Sequence, residues 1–135
     1  MRPPLSSGIL RAMAGKPTDV QLFGLAKSQA TRKAQRFFSE RRVPVAYHDL
    51  RRRNPSPGEL RKWVQRFGVD GVLDRAGRAY LDAGLSYVSA SDEDWIARLA
   101  DDPSPLRLPL ARCGTDLAVG EDVDAWERFV AAVRS

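Results

Sequence analysis

Apolar positions first fall into a regular pattern at residues 20–23, a short run closed by Gly24 that reads as a strand. From about Ser28 the spacing becomes helical. Ala30, Ala34, Phe37 and Phe38 share one face, Arg32, Lys33 and Arg36 lie opposite, and the pattern lasts to about Arg42. The segment VPVAYHDL (43–50) alternates again, with Val45 and Tyr47 on one side and Ala46, His48 and Leu50 on the other. Two strands joined through one helix form a βαβ unit, so the strands are expected to be parallel.

Next comes strong helix punctuation: Ser56 as N-cap, Pro57 in the first helical position and Glu59 completing a capping box. Leu60, Trp63, Val64 and Phe67 then recur at helical spacing up to Gly68, a natural C-cap. Residues 69–90 hold turn glycines at 71, 77 and 84 and are expected to form short helical turns. Ser91 caps a further helix with Asp94 at N3 and Trp95, Ile96 and Leu99 inward, ending at DDPSP (101–105). LRLPLARCGTDLAVG (106–120) reads as a hairpin around a turn from Cys113 to Asp116. A last helix from about Asp122 turns Val123, Trp126, Phe129, Val130 and Val133 inward. The order is β-α-β, a helical block, then β-β-α. That is an α/β, thioredoxin-like layout with a helical insertion and a small mixed sheet.

Composition narrows this little. The 135 residues are 43% hydrophobic and 29% charged, enough for one domain with a real core, taken as residues 19–135. Residues 1–18 carry Arg2, Arg11 and Lys16 with no acid, and are expected to form a flexible basic extension, with Met13 an alternative start. No stretch approaches the roughly 20 apolar residues of a membrane span. One cysteine, Cys113, excludes an intramolecular disulfide and a cysteine-built metal site, and a reducing cytoplasm is the simplest compartment. No metal is expected, because the lone histidine, His48, has no second histidine to share one. Cys113 itself reads as an exposed, incidental thiol in the turn.

The net charge of +5 is divided unevenly. Residues 27–66 carry 12 Lys/Arg against three acids, whereas residues 67–135 carry seven Arg against 13 acids. A basic half can steer an acidic partner. The arginines at 51, 52 and 53 are the best local phosphate-binding candidates but lack exposed aromatics, so nucleic acid is the weaker expectation.

Five stretches, LFGLAKSQATRKA, YHDLRR, ELRKWVQRFG, DRAGRAY and DDPSPLRLPL, resemble the ArsC-like family in order and near spacing. The likeness covers about residues 19–130. That family contains glutaredoxin-dependent arsenate reductases and the transcription regulator Spx, and the resemblance implies a thioredoxin-like fold with a helical insertion. It also implies a nucleophilic cysteine at the start of the first helix, in a loop resembling N-C-D-T. The matching residues here are Lys27, Ser28, Gln29 and Ala30, so none is retained. A serine hydroxyl has no accessible ionised form near neutral pH without a dedicated base. Ser28 is expected either to cap the helix or to donate a hydrogen bond to a bound thiolate.

In arsenate-reducing members arginines clamp the oxyanion, and Arg75 matches the first of them. A second normally precedes the proline that opens the third strand. Here that residue is Leu108, with Arg107 one place earlier and expected to face away from the site. Pro109 fits the family's cis-proline position, a role equally structural and ligand-related. Lys27, near the helix N-terminus, could attract an anion. Two functional expectations follow. The first is an interaction or regulatory protein without thiol redox activity, with RNA polymerase or another acidic protein as partner. The second is a glutathione-linked oxidoreductase or transferase in which Ser28 orients an exogenous thiol near Arg75 and Pro109. No other cofactor is expected.

Overall fold

Ser28, Ser56, Ser91 and Asp122 each start a helix in the computed structural model, which describes residues 17–135. Their side-chain oxygens accept the backbone N–H of Thr31, Glu59, Asp94 and Ala125, all at 3.1 Å. Each bond satisfies one of the donors a helix start leaves orphaned. The elements are β1 (Val20–Gly24), α1 (Gln29–Glu40), β2 (Val45–Asp49), α2 (Pro57–Val72) and α3 (Arg78–Asp82). After a 3-10 turn (Leu85–Tyr87) follow α4 (Asp92–Asp101), β3 (Leu110–Cys113), β4 (Asp116–Val119) and α5 (Val123–Arg134). The expected basic extension lies outside the described residues except for 17 and 18.

The sheet order is β2-β1-β3-β4, with β1 and β2 parallel and the other two pairs antiparallel. This is the small mixed sheet expected of the element order. Alternation along each strand sends side chains to two cores. Val20, Leu22, Ala111 and Ala118 pack beneath Phe38 of α1 and Trp126 and Phe129 of α5. Phe23, Leu110 and Leu117 pack beneath Leu60 and Trp63 of α2 and Trp95 and Ile96 of α4. All three tryptophans are core residues, and the Trp63 indole donates to the Ala118 carbonyl of edge strand β4 at 3.1 Å. Among the described residues no helix is long and apolar enough to cross a membrane.

Four local expectations change. α1 stops at Glu40 because Arg42 adopts φ 58°, and the Arg42 and Val43 N–H groups return to the Ser39 and Phe38 carbonyls in a Schellman arrangement. The Glu59 half of the capping box is not formed, since its carboxylate turns to Lys62 and Arg112. Phe67 is 38% exposed, because Gly68 (φ 77°) breaks α2 and the next turn brings Val72 into the core instead. Cys113 is only 3% exposed: the hairpin loop is Gly114 and Thr115, which leaves Cys113 as the last residue of β3, on the α5 side beneath Phe129.

Candidate functional site

β1 delivers the chain to the site and α1 takes it away. At the end of β1 a Cβ on Gly24 would lie 2.5 Å from Thr31 Oγ1 and Cγ2, so glycine allows the strand end and the first turn of α1 to approach closely. The loop between them closes on itself. Ser28 N–H donates to the Leu25 carbonyl at 2.9 Å, its carbonyl accepts from Arg32 N–H at 3.1 Å, and the Arg32 guanidinium holds the Ala26 carbonyl at 2.5 Å. Ser28 Oγ is already engaged as acceptor by Thr31 N–H.

The opposite wall is a second crossing of the chain. Leu73 and Leu106 form an isolated antiparallel bridge, flanked by Asp74 N–H to the Pro105 carbonyl at 2.9 Å and Arg107 N–H to the Val72 carbonyl at 2.7 Å. Between loop and wall lies a pocket of about 380 Å³, lined among others by Lys27, Ser28, Asp74, Arg107 and Leu108.

Lys27, Ser28 and Arg107 therefore share one pocket. Arg107 was expected to face away, on the premise that strand alternation reaches it. β3 begins only at Leu110 and residues 107–109 are irregular, so the alternation does not apply; the Leu108–Pro109 bond is cis. The arm of Arg107 runs over Gly120, where a Cβ would meet its Cγ and Cδ at 2.9 Å. Pro109 is buried next to the pocket wall, and its carbonyl accepts Gly120 N–H at 2.9 Å.

Arg75 is not brought to this pocket. It pairs with Asp70, lies 5.7 Å from the Tyr80 ring centroid, and lines a different cleft beside Phe67 and Ser86. The neighbouring residue, Asp74, takes the position on the wall. Sequence reading missed Asp74, although its spacing to Gly77 signals a turn: the Asp74 carbonyl accepts Gly77 N–H at 3.0 Å.

The chemistry available is limited. The lining holds two cations, Lys27 and Arg107, and one acid, Asp74, whose carboxylate packs against Gly77. The only histidine, His48, is engaged elsewhere, 2.8 Å from Gln21 Oε1 and stacked on Phe23, so it cannot serve Ser28 as a base. Cys113 lies in the core on the α1/α5 face of the sheet. Burial pushes its thiol up to about 11, with the charges of Asp116 and Asp19 adding to the effect. Among the described residues no three His, Cys, Asp or Glu side chains are grouped to hold a metal.

A family profile described as ArsC family matches residues 23–129. No curated protein sequence matches the chain. Among solved structures, a YffB protein is 25% identical, with a TM-score of 0.74 over 82% of this chain and 98% of its own. An ArsC-family-related protein from Bacteroides fragilis is 21% identical, with a TM-score of 0.72 over 82% of this chain and 97% of that one. An arsenate reductase from Vibrio cholerae is 17% identical, also at 0.72, over 84% and 98% of the two chains. The last two likenesses establish a common fold.

Proposed function

The chain belongs to the ArsC family, and on that premise we propose that it is a member without thiol redox activity, working through interaction with another macromolecule. The observation that carries this reading is the state of the helix start. Ser28 stands where the family resemblance puts the nucleophile, and its oxygen is occupied as the cap of α1. The one thiol of the chain is buried on the α1/α5 face of the sheet, and its ionisation is disfavoured. Asp74 and Leu108 on the pocket wall further weaken an oxyanion clamp. The partner is a protein with an acidic surface, for which RNA polymerase is the family precedent. The net charge of +9 on residues 27–66 supports it.

A glutaredoxin-coupled reduction assay on the natural chain and on Ser28→Cys tests the reading. Neither should turn over arsenate, the first for want of a thiol at the start of α1 and the second for want of a complete clamp. Retention of an acidic partner at modest salt, lost as salt rises, should accompany that silence.

One observation favours a second reading. Lys27, Ser28 and Arg107 line a single pocket beside Pro109, and two cations flanking a hydroxyl suit the carboxylates and thiol of glutathione. Calorimetry without heat at millimolar glutathione would remove it.

A further inference from the structure

The cleft of about 810 Å³ on the other side of β1 is unlike the rest of its sheet face. That face otherwise presents Phe23, Leu110 and Leu117 to the core beneath α2 and α4. In the cleft it presents Gln21 paired in register with Arg112, and His48 paired with Phe23. The walls add Arg52 and Arg53 from the loop after β2, and Ser56 and Glu59 from the start of α2. We propose that this cleft binds a phosphate group, held by the guanidinium groups of Arg112, Arg52 and Arg53 at the N-terminus of α2.

Arg112 provides the main argument. Its Nε is buried and has no hydrogen-bond partner, and its Nη2 reaches the Glu59 carboxylate only at 3.4–3.5 Å. Glu59 makes its shorter contact, 3.1 Å, with Lys62 on the next turn of the same helix. A guanidinium left so weakly paired in a half-buried position has lost hydration without full compensation, which an oxyanion would restore through the planar fork. Arg52 and Arg53 make no ion pair among the described residues, although both line the cleft.

The opposing charges are Asp49 and Glu59. Asp49 already accepts Arg51 N–H at 3.0 Å, and Glu59 is shared with Lys62. α2 is long enough for its dipole to favour an anion at this end, and around Gly58, its second residue, a Cβ would meet nothing within 4 Å. Three arginines lining one cleft suit a tetrahedral dianion better than a planar carboxylate, which offers only two oxygens. The cleft shares no lining residue with the Ser28 pocket, so the inference stands apart from the reading of that pocket.

Titration of the full chain, followed by amide shifts and calorimetry, decides it. Inorganic phosphate and phenyl phosphate are the two probes, with sodium chloride holding ionic strength constant. Saturable one-to-one binding is expected, with shifts centred on residues 52–59 and 112. Tighter binding of the ester assigns the site to an organic phosphate, and equal or weaker binding assigns it to the free ion. Arg112→Gln should weaken binding about tenfold to a hundredfold, the loss of a charge-assisted hydrogen bond. The exposed pair Arg52→Gln/Arg53→Gln should weaken it at least tenfold with the fold intact, should R112Q fail to fold. Shifts that stay linear in phosphate, match those of chloride, or survive the double substitution overturn the proposal.

Discussion

Replacing Ser28 with alanine separates a capping serine from a ligand-binding one. The substitution removes one oxygen, which accepts the Thr31 N–H at 3.1 Å. Thr31 is fully buried, so water cannot easily replace that acceptor. Loss of a serine N-cap costs about 0.5–2 kcal/mol, and the unmet donor here argues for the upper half, about 1–2 kcal/mol. For a domain of this size that lowers Tm by about 3–10 °C. Urea unfolding followed by the fluorescence of Trp63, Trp95 and Trp126, all in the core, measures it, with an unchanged m-value confirming that stability alone moved. Ser28→Asp is the companion. It keeps an acceptor and adds charge to a first turn that contains no acid, so it should match the natural chain or exceed it by about 0.3–1 kcal/mol. If Ser28→Ala left stability within about 0.3 kcal/mol of the natural chain, well below the usual cost of losing a cap, while abolishing glutathione binding, the capping argument would be refuted.

Gly24→Ala forces a methyl into Thr31, 2.5 Å away, and should cost about 1–3 kcal/mol by overpacking. The double substitution Gly24→Ala/Thr31→Ala should recover part of that loss in a thermodynamic cycle. Arg42→Gly relieves a positive φ at the C-terminus of α1 and should stabilise by up to about 1 kcal/mol in the same unfolding experiment. Cys113 carries a pH dependence. Its folded pKa, about 11, lies above the ordinary 9.0, so its contribution is complete below pH 9 and disappears as pH rises towards 11. The stability difference between the natural chain and Cys113→Ala should therefore shrink by about 2 kcal/mol across that window. A pH-independent difference would show that the thiol ionises freely in the folded protein.

The parts of the fold legible in sequence are those fixed locally. Ser56 followed by Pro57, Ser91 with Asp94, and Asp122 before the last apolar face each specify a helix start within a few residues, and all form as read. The positions that escaped depend on distant chain. Phe67 satisfies the helical spacing, but whether it is buried rests on the break at Gly68 and on Val72 reaching the core. Cys113 reads as a turn residue until the pairing with Asp116 places it on the strand beneath Phe129. At the site, alternation misdirects Arg107 because the chain there bends at Leu108 before its strand begins at Leu110. Arg75 and Asp74 are adjacent in sequence, and only the Leu73–Leu106 bridge selects which lines the Ser28 pocket. The cleft around Arg112 was hidden for the same reason, since its arginines come from segments some sixty residues apart in the chain.

The absence of thiol chemistry is the central claim, and the natural chain tests it without substitution. Purified protein is added to glutathione, glutaredoxin, glutathione reductase and NADPH, and NADPH oxidation is followed with and without arsenate. The rate should equal that of the protein-free control at every protein concentration. Arsenate-dependent oxidation proportional to the amount of chain, and lost in Cys113→Ala, would contradict the account.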